Sequence, residues 1–235
     1  MKLALFQADH IPQHRQQVAG GDYPEMFANL FLKLSVVVDL TVFDVTKAEY
    51  PQDIHEFDGV IISGSRASSF EKAVWIKRLE QQIHAIFTAQ KPIVGICFGH
   101  QILAQAFGGR VERTSKGWGI GVNQIEVLNR KPWMRPFIRN LSLNFYHQDQ
   151  VIALPEKAEL IACNNFCPIQ MFTLNDRILG IQAHPEMRRA HNYLLLSEGK
   201  TQLDKRYQTA VDSLRVRDHG AIVGGWIIHF FTREH

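Results

Sequence analysis

The sequence predicts an α/β fold: three layers, with a central, mostly parallel sheet between helices and a small subsidiary antiparallel sheet. Three observations carry this. Continuously apolar strand segments alternate with helical segments over residues 1–109, the pattern of parallel strands buried on both faces. Residues 111–184 then read as short strand-like pieces in succession, which suits antiparallel pairing. Helical patterns return after Pro185. With 235 residues and no internal repeat, low-complexity tract or linker, residues 1–235 are read as one domain near the upper size for a single core.

Met1 to Gln7 reads as a buried strand, and Tyr23 to Leu34 sets Met26, Phe27, Leu30, Phe31 and Leu34 at helical spacing. Val36 to Val45 is β-branched and strand-like; Phe57 to Ile62 is a further apolar run leading into the loop Ser63-Gly64-Ser65-Arg66-Ala67-Ser68. Glu71 to Gln90 places Ile76, Leu79, Ile83, Ile86 and Phe87 on one face, with Glu71 at the dipole's positive end and Pro92 beyond the stop. Ile93 to Ile96 is a strand, followed at once by Cys97 and by a helical pattern ending at Gly108-Gly109. Strands are then expected at Asn123 to Leu128, Leu141 to Tyr146, Val151 to Leu154 and Arg177 to Gln182, and a late helix at Ala221 to Phe231.

Composition excludes several classes of function. Twenty-six bases against 23 acids leave +3, no electrostatic footprint for nucleic acid. The longest apolar stretch, Ala221 to Phe231, contains two glycines and His229, too short to span a membrane. The apolar run after Lys2 ends at Gln7, too short for a secretory signal, so the cytoplasm is the expected compartment. Cys97, Cys163 and Cys167 are an odd number and argue against a disulfide framework. Cys163 and Cys167 lack a second pair at zinc spacing, so they are read as packed thiols and no metal site is expected.

A residue set where a buried strand turns abruptly into a helix presents its side chain at the sheet's carboxyl end, facing helix amides. Gly95-Ile96-Cys97-Phe98-Gly99 fits such an elbow, because glycines on both sides relieve backbone crowding. A free thiol is mostly protonated near neutrality and needs a base. Of eleven histidines, His184 follows the strand Ile178 to Gln182 directly, and Glu186 stands two residues on to fix its tautomer, with Pro185 suited to start a helix.

Gly95-Ile96-Cys97-Phe98-Gly99-His100-Gln101 together with His184-Pro185-Glu186 resembles the class I, triad-type glutamine amidotransferases over nearly the whole chain. The nearest subgroup resembles the glutaminase half of GMP synthetase and stand-alone γ-glutamyl hydrolases. The resemblance implies a flavodoxin-like layering, with Cys97 as nucleophile, His184 as general base and Glu186 as its orienting partner. It also implies an oxyanion hole from the amides of Ser65 and Phe98, one such donor being worth about 3 to 4 kcal/mol. Ser65 stands where the family usually has a second glycine, and its Cβ narrows the backbone's freedom. Gly64, Gln101 and His147 are carried over as substrate-side positions, Gln101 most directly. His100, His147 and Asp149 are residue types more often found in loops and caps, and Arg66 reads either as a reader of a substrate carboxylate or as an exposed loop arginine.

The implied reaction is attack of Cys97 on the γ-carbonyl of glutamine or another γ-glutamyl amide, loss of ammonia or an amine, and hydrolysis of the thioester. It needs no metal or organic cofactor. The expected partner is the small-molecule substrate, with neither nucleic acid nor membrane. Two alternatives remain: a glutaminase subunit serving a separate synthetase, and a regulatory module that keeps the fold without turnover.

Overall fold

The structure is a computed structural model describing every residue except Ser35, Asp204, Glu234 and His235. Its strands are β1 (Lys2–Gln7), β2 (Asp39–Asp44), β3 (Gly59–Ile62), β4 (Ile93–Ile96), β5 (Arg110–Arg113), β6 (Gly119–Val127), β7 (Asn140–His147), β8 (Asp149–Ala153), β9 (Ala158–Cys163), β10 (Met171–Leu174) and β11 (Ile178–Ile181). Its helices are α1 (Gln13–Ala19), α2 (Tyr23–Leu32), α3 (Val74–Thr88), α4 (Phe98–Ala106), α5 (Arg189–Glu198), α6 (Lys200–Leu203), α7 (Arg206–Ser213) and α8 (Gly220–Thr232).

Nine strands form one sheet in the order β2-β1-β3-β4-β11-β10-β9-β6-β7. The first five run parallel, and the strands from β10 onward continue the sheet antiparallel. The α/β architecture predicted from sequence is borne out, and the strand-rich middle divides. Among the described residues only β5 and β8 form the small separate sheet, whereas β6, β7, β9 and β10 extend the main one.

Alternation along the strands builds the layers. Leu3, Leu5 and Ile61 face a core shared with Met26, Phe27, Leu30 and Phe31 of α2 and Trp226, Ile227 and Phe230 of α8. Ala4, Phe6, Val60 and Ile62 face the opposite core, under Ile76, Leu79, Ile83 and Ile86 of α3 and Ile102 and Leu103 of α4. A third, smaller cluster packs Leu196, Leu203 and Ala210 of α5–α7, and Leu214 just beyond α7, on Ile120 and Val122 of β6. The apolar stretch Ala221 to Phe231 is thus a core helix, and among the described residues no helix is long and apolar enough to cross a membrane.

Some element ends differ from the expectation. The helix expected to reach Leu34 stops at Leu32, and the strand expected from Val36 starts at Asp39. At the other end, α2 opens on a capping box in which Asp22 accepts from Tyr23 N at 2.8 Å and Asp22 N donates to Glu25 at 2.9 Å. Glu71 precedes α3, which starts at Val74, and its carboxylate accepts from Ser68 N at 2.7 Å.

Candidate active site

The junction of β4 and α4 is a strained elbow. Cys97 takes φ 52° and ψ −100°, a left-handed value that non-glycine residues rarely adopt. The strand and helix approach so closely that a Cβ on Gly95 would stand 2.3 Å from the backbone of Gly99, and one on Gly99 would stand 2.4 Å from Ile62 O. Cys97 N donates to Ile181 O at 2.8 Å and Gln101 N to Cys97 O at 3.0 Å, pinning the turn from both sides. Phe98 is the first residue of α4, so its amide is one of the helix donors lacking a partner one turn back. Its ring lies in the core against Trp75, 5.5 Å between centroids.

His184 stands where β11 ends, next to the sulfur. Its Nδ1 lies 2.7 Å from Glu186 Oε1, whose side chain is fully buried. With Nδ1 committed to the carboxylate, Nε2 is the ring nitrogen left free of Glu186, and both His184 and Cys97 line the same cavity. Burial opposes a charged ring, but Glu186 and Cys97 outweigh it and hold His184 well above the usual imidazole range.

The mount of His184 is not a helix start. His184 N donates to Asn144 O at 2.9 Å, Met187 N turns back to His184 O at 3.4 Å, and α5 begins only at Arg189. Pro185 therefore sits in a turn, because β7 captures the backbone before a helix can begin. Asn144 Nδ2 reaches Met187 O at 3.1 Å, and Asn192 Nδ2 reaches Asn144 Oδ1 at 2.9 Å, completing a buried bracket under the imidazole.

The loop after β3 runs alongside. Ser65 is absent from the residues with positive φ, so its Cβ fits an ordinary backbone conformation. Its hydroxyl accepts from Ala67 N at 3.1 Å. Gly64 is wedged behind the imidazole: a Cβ there would meet His184 Cε1 at 3.0 Å and the Tyr23 hydroxyl at 3.1 Å. Arg66 is paired with Asp9, its Nε at 2.8 Å and Nη2 at 2.8 Å from the carboxylate. Arg66 is an exposed loop arginine, its side chain 69% exposed, and it is paired with Asp9 besides.

Cys97, His184 and Ser65 open on one cavity of about 490 Å³, whose wall also includes Gln101, His147, Asp149 and Tyr23. Gln101 Nε2 is engaged by Asp149 O at 2.9 Å and Gln182 Oε1 at 3.2 Å, and Gln182 Nε2 points to the Cys97 sulfur at 3.6 Å. His147 Nδ1 faces Asp149 O at 3.1 Å, and burial, with the charge of His184 nearby, pushes its pKa down to about 4. His100 is packed over Phe172, outside the cavity wall, and burial pushes it down to about 3. Asp149 is tied to Ser68 and, at 3.1 Å, to Arg113 Nε. Sequence reasoning missed Asp9, Asn144, Gln182 and Tyr23. Each acts across the fold at large sequence separation, where no local spacing announces it. Cys163 and Cys167 lie outside this cavity wall; Cys167 is buried, which pushes its thiol up to about 12.

An elbow cysteine and an imidazole fixed by a buried carboxylate on one cavity can carry out acyl transfer. The sequence profile of Glutamine amidotransferase class-I matches residues 19–196. The chain belongs to the class-I glutamine amidotransferase family. It is 32% identical over 196 residues to Gamma-glutamyl peptidase 3 of Arabidopsis thaliana, covering 80% of this chain and 78% of that one. It is 30% identical over 172 residues to the glutamine-hydrolysing GMP synthase of Aeropyrum pernix, covering 72% of this chain and 32% of that protein. The fold is shared with a glutamine amidotransferase from Thermotoga maritima, TM-score 0.78 at 20% identity, covering 98% of this chain and 99% of that one. Membership makes this a protein of a hydrolytic enzyme family and gives the predicted class I fold its parallel in solved structures.

Proposed function

We propose that the protein hydrolyses the γ-glutamyl amide bond of glutamine or a γ-glutamyl compound through a thioester on Cys97. The observation that supports the reading is an elbow cysteine, Cys97, sharing one cavity with His184, whose Nδ1 lies 2.7 Å from the buried Glu186 carboxylate. The Cys97 thiol gives its proton to His184, whose raised affinity keeps it there while sulfur attacks the carbonyl carbon. The carbonyl oxygen becomes an oxyanion between the amides of Ser65 and Phe98. His184 passes the proton to the departing nitrogen, ammonia or an amine leaves, and the glutamyl thioester remains. Water then gives a proton to His184 and attacks the same carbon; collapse releases glutamate and restores the thiol. Gln101 and His147 shape the wall on which the glutamyl portion lies, and Gly64 keeps the space behind the imidazole clear.

Glutamate release from glutamine and from a panel of γ-glutamyl amides and peptides tests this. Turnover with at least one substrate, falling by about 10²–10⁴-fold or more in Cys97→Ala and His184→Ala, is the expected result. A wild-type protein silent across the panel contradicts it. The likeness to GMP synthase favours a second reading, a glutaminase that passes ammonia to a synthetase partner; that reading requires turnover to rise when the partner is added.

A further inference from the structure

We infer that Asp9 is a positioning residue that aims the Ser65 amide into the oxyanion hole. The inference deepens the function proposed above and rests on it. Among the described residues, Gly64 to Ala67 make no hydrogen bond from backbone to backbone. The loop is held by side chains. A peptide unit is planar and trans, so Gly64 C=O and Ser65 N–H point in opposite directions within one plate. Ser63 Oγ donates to Gly64 O at 2.9 Å while accepting from Ala8 N at 2.9 Å, which turns the Ser65 N–H away from Ser63.

The next plate, on the other side of Ser65, is fixed by Asp9. Its Oδ2 accepts from Arg66 N at 2.9 Å and Arg66 Nε at 2.8 Å, and its Oδ1 accepts from Arg66 Nη2 at 2.8 Å. Bidentate pairing of this kind restricts orientation as well as distance. With both flanking plates fixed, Ser65 has little freedom to rotate its amide.

Asp9 can hold the loop because its own segment is anchored. Asp22, which caps α2, accepts from Ile11 N at 2.8 Å, Gln7 Nε2 at 2.7 Å and His10 Nδ1 at 3.0 Å; His10 Nε2 reaches Asp44 at 2.9 Å. Asp9 stays ionised: burial works against its charge, and the bonds from Arg66 and His10 N reverse that effect. Support thus passes from the α2 cap, through the segment after β1, to the loop after β3. The Arg66 side chain is 69% exposed, so its attraction for Asp9 matters here through geometry.

The test uses Asp9→Ala, Arg66→Ala and the double variant, with the substrate that wild type hydrolyses fastest. Alkylation of Cys97 by iodoacetamide serves as control, since displacement at an sp³ carbon needs the thiolate and no oxyanion hole. The expected result is a fall in kcat of about 10–100-fold in Asp9→Ala, with KM and the alkylation rate changed by less than about threefold. The double variant is expected to lose no more than the worse single variant. Unchanged kcat in Asp9→Ala, equal losses of hydrolysis and alkylation, or multiplying losses in the double variant would each overturn the inference. Should Asp9→Ala fail to fold, Arg66→Ala, which removes the two side-chain bonds that orient Asp9 and keeps the one from Arg66 N, is expected to lower kcat by a smaller factor with alkylation unchanged, and equal losses of both would overturn the inference. A wild type without cysteine-dependent turnover removes the proposed function and this inference together, whereas active wild type with an indifferent Asp9→Ala removes the inference alone.

Discussion

The nucleophile elbow and the oxyanion loop stand side by side at the carboxyl ends of β4 and β3, and they are held by different physics. Missing side chains shape the elbow. Gly95 and Gly99 let β4, α4 and β3 approach at distances where any Cβ would overlap backbone, and Cys97 is kept at a positive φ by that closeness. Added side chains shape the loop: Ser63, Asp9 and Ser65 supply hydrogen bonds that its backbone does not make for itself. An elbow of this kind tolerates no new volume, because backbone cannot yield. A loop of this kind tolerates a Cβ at Ser65 and depends on partners distant in sequence.

The largest expected effect breaks the elbow. Gly99→Ala sets a methyl against Ile62 O, 2.4 Å away, and is expected to cost about 2–3 kcal/mol, lowering Tm by about 5–10 °C by calorimetry and removing turnover. Gly95→Ala should behave alike. An alanine at either position that left Tm and activity intact would show that the strand and helix can separate.

Next comes the bracket under His184. Asn144→Leu removes the donor to Met187 O and the acceptor for Asn192, with an expected loss of about 1–3 kcal/mol by urea unfolding. The rate should fall beyond what the stability change explains, since the imidazole loses its mount.

A smaller effect sharpens the comparison from the loop's side. Ser65→Gly keeps Asp9 and Ser63 in place, so kcat is expected within about threefold of wild type and stability within about 1 kcal/mol, the cost of extra backbone freedom in the unfolded chain. A large rate change at Ser65, with none at Asp9, would reverse the assignment of what holds the loop.

The smallest effect concerns the anchor behind Asp9. Burial alone would lower the pKa of His10; its bonds to Asp44 and Asp22 reverse this and raise it. Because the folded value lies above the unfolded one, the stabilisation is complete below the unfolded pKa of about 6.5 and is lost as pH rises through the folded value. His10 is 47% exposed, so solvent screening limits the effect to about 0.5 kcal/mol. The Tm gap between wild type and His10→Gln, followed by thermal scans, should be widest near pH 6 and close toward pH 9.

The parallel strands and the elbow were legible in the sequence because their signals are local. Four apolar residues, a cysteine between spaced glycines and a helical pattern occupy fifteen consecutive positions, and His184 and Glu186 are two residues apart. The antiparallel strands were harder: nothing in β9 and β10 states that they join the main sheet through β11 and β6. Pro185 read as a helix start because the capture of His184 N by Asn144, forty residues earlier in the chain, has no local signature. Asp9 and Arg66 are 57 residues apart, and each alone reads as an ordinary loop residue. Local chemistry was visible; its supports were not.

In the proposed mechanism Cys97 carries the glutamyl group during turnover. Acid quenching of the protein while it consumes its fastest γ-glutamyl substrate, followed by peptide mass spectrometry, tests this directly. A glutamyl adduct is expected on the peptide containing Cys97, discharged by hydroxylamine and missing from Cys97→Ser. Turnover that persists in Cys97→Ala, or an adduct that forms on another residue, would contradict it.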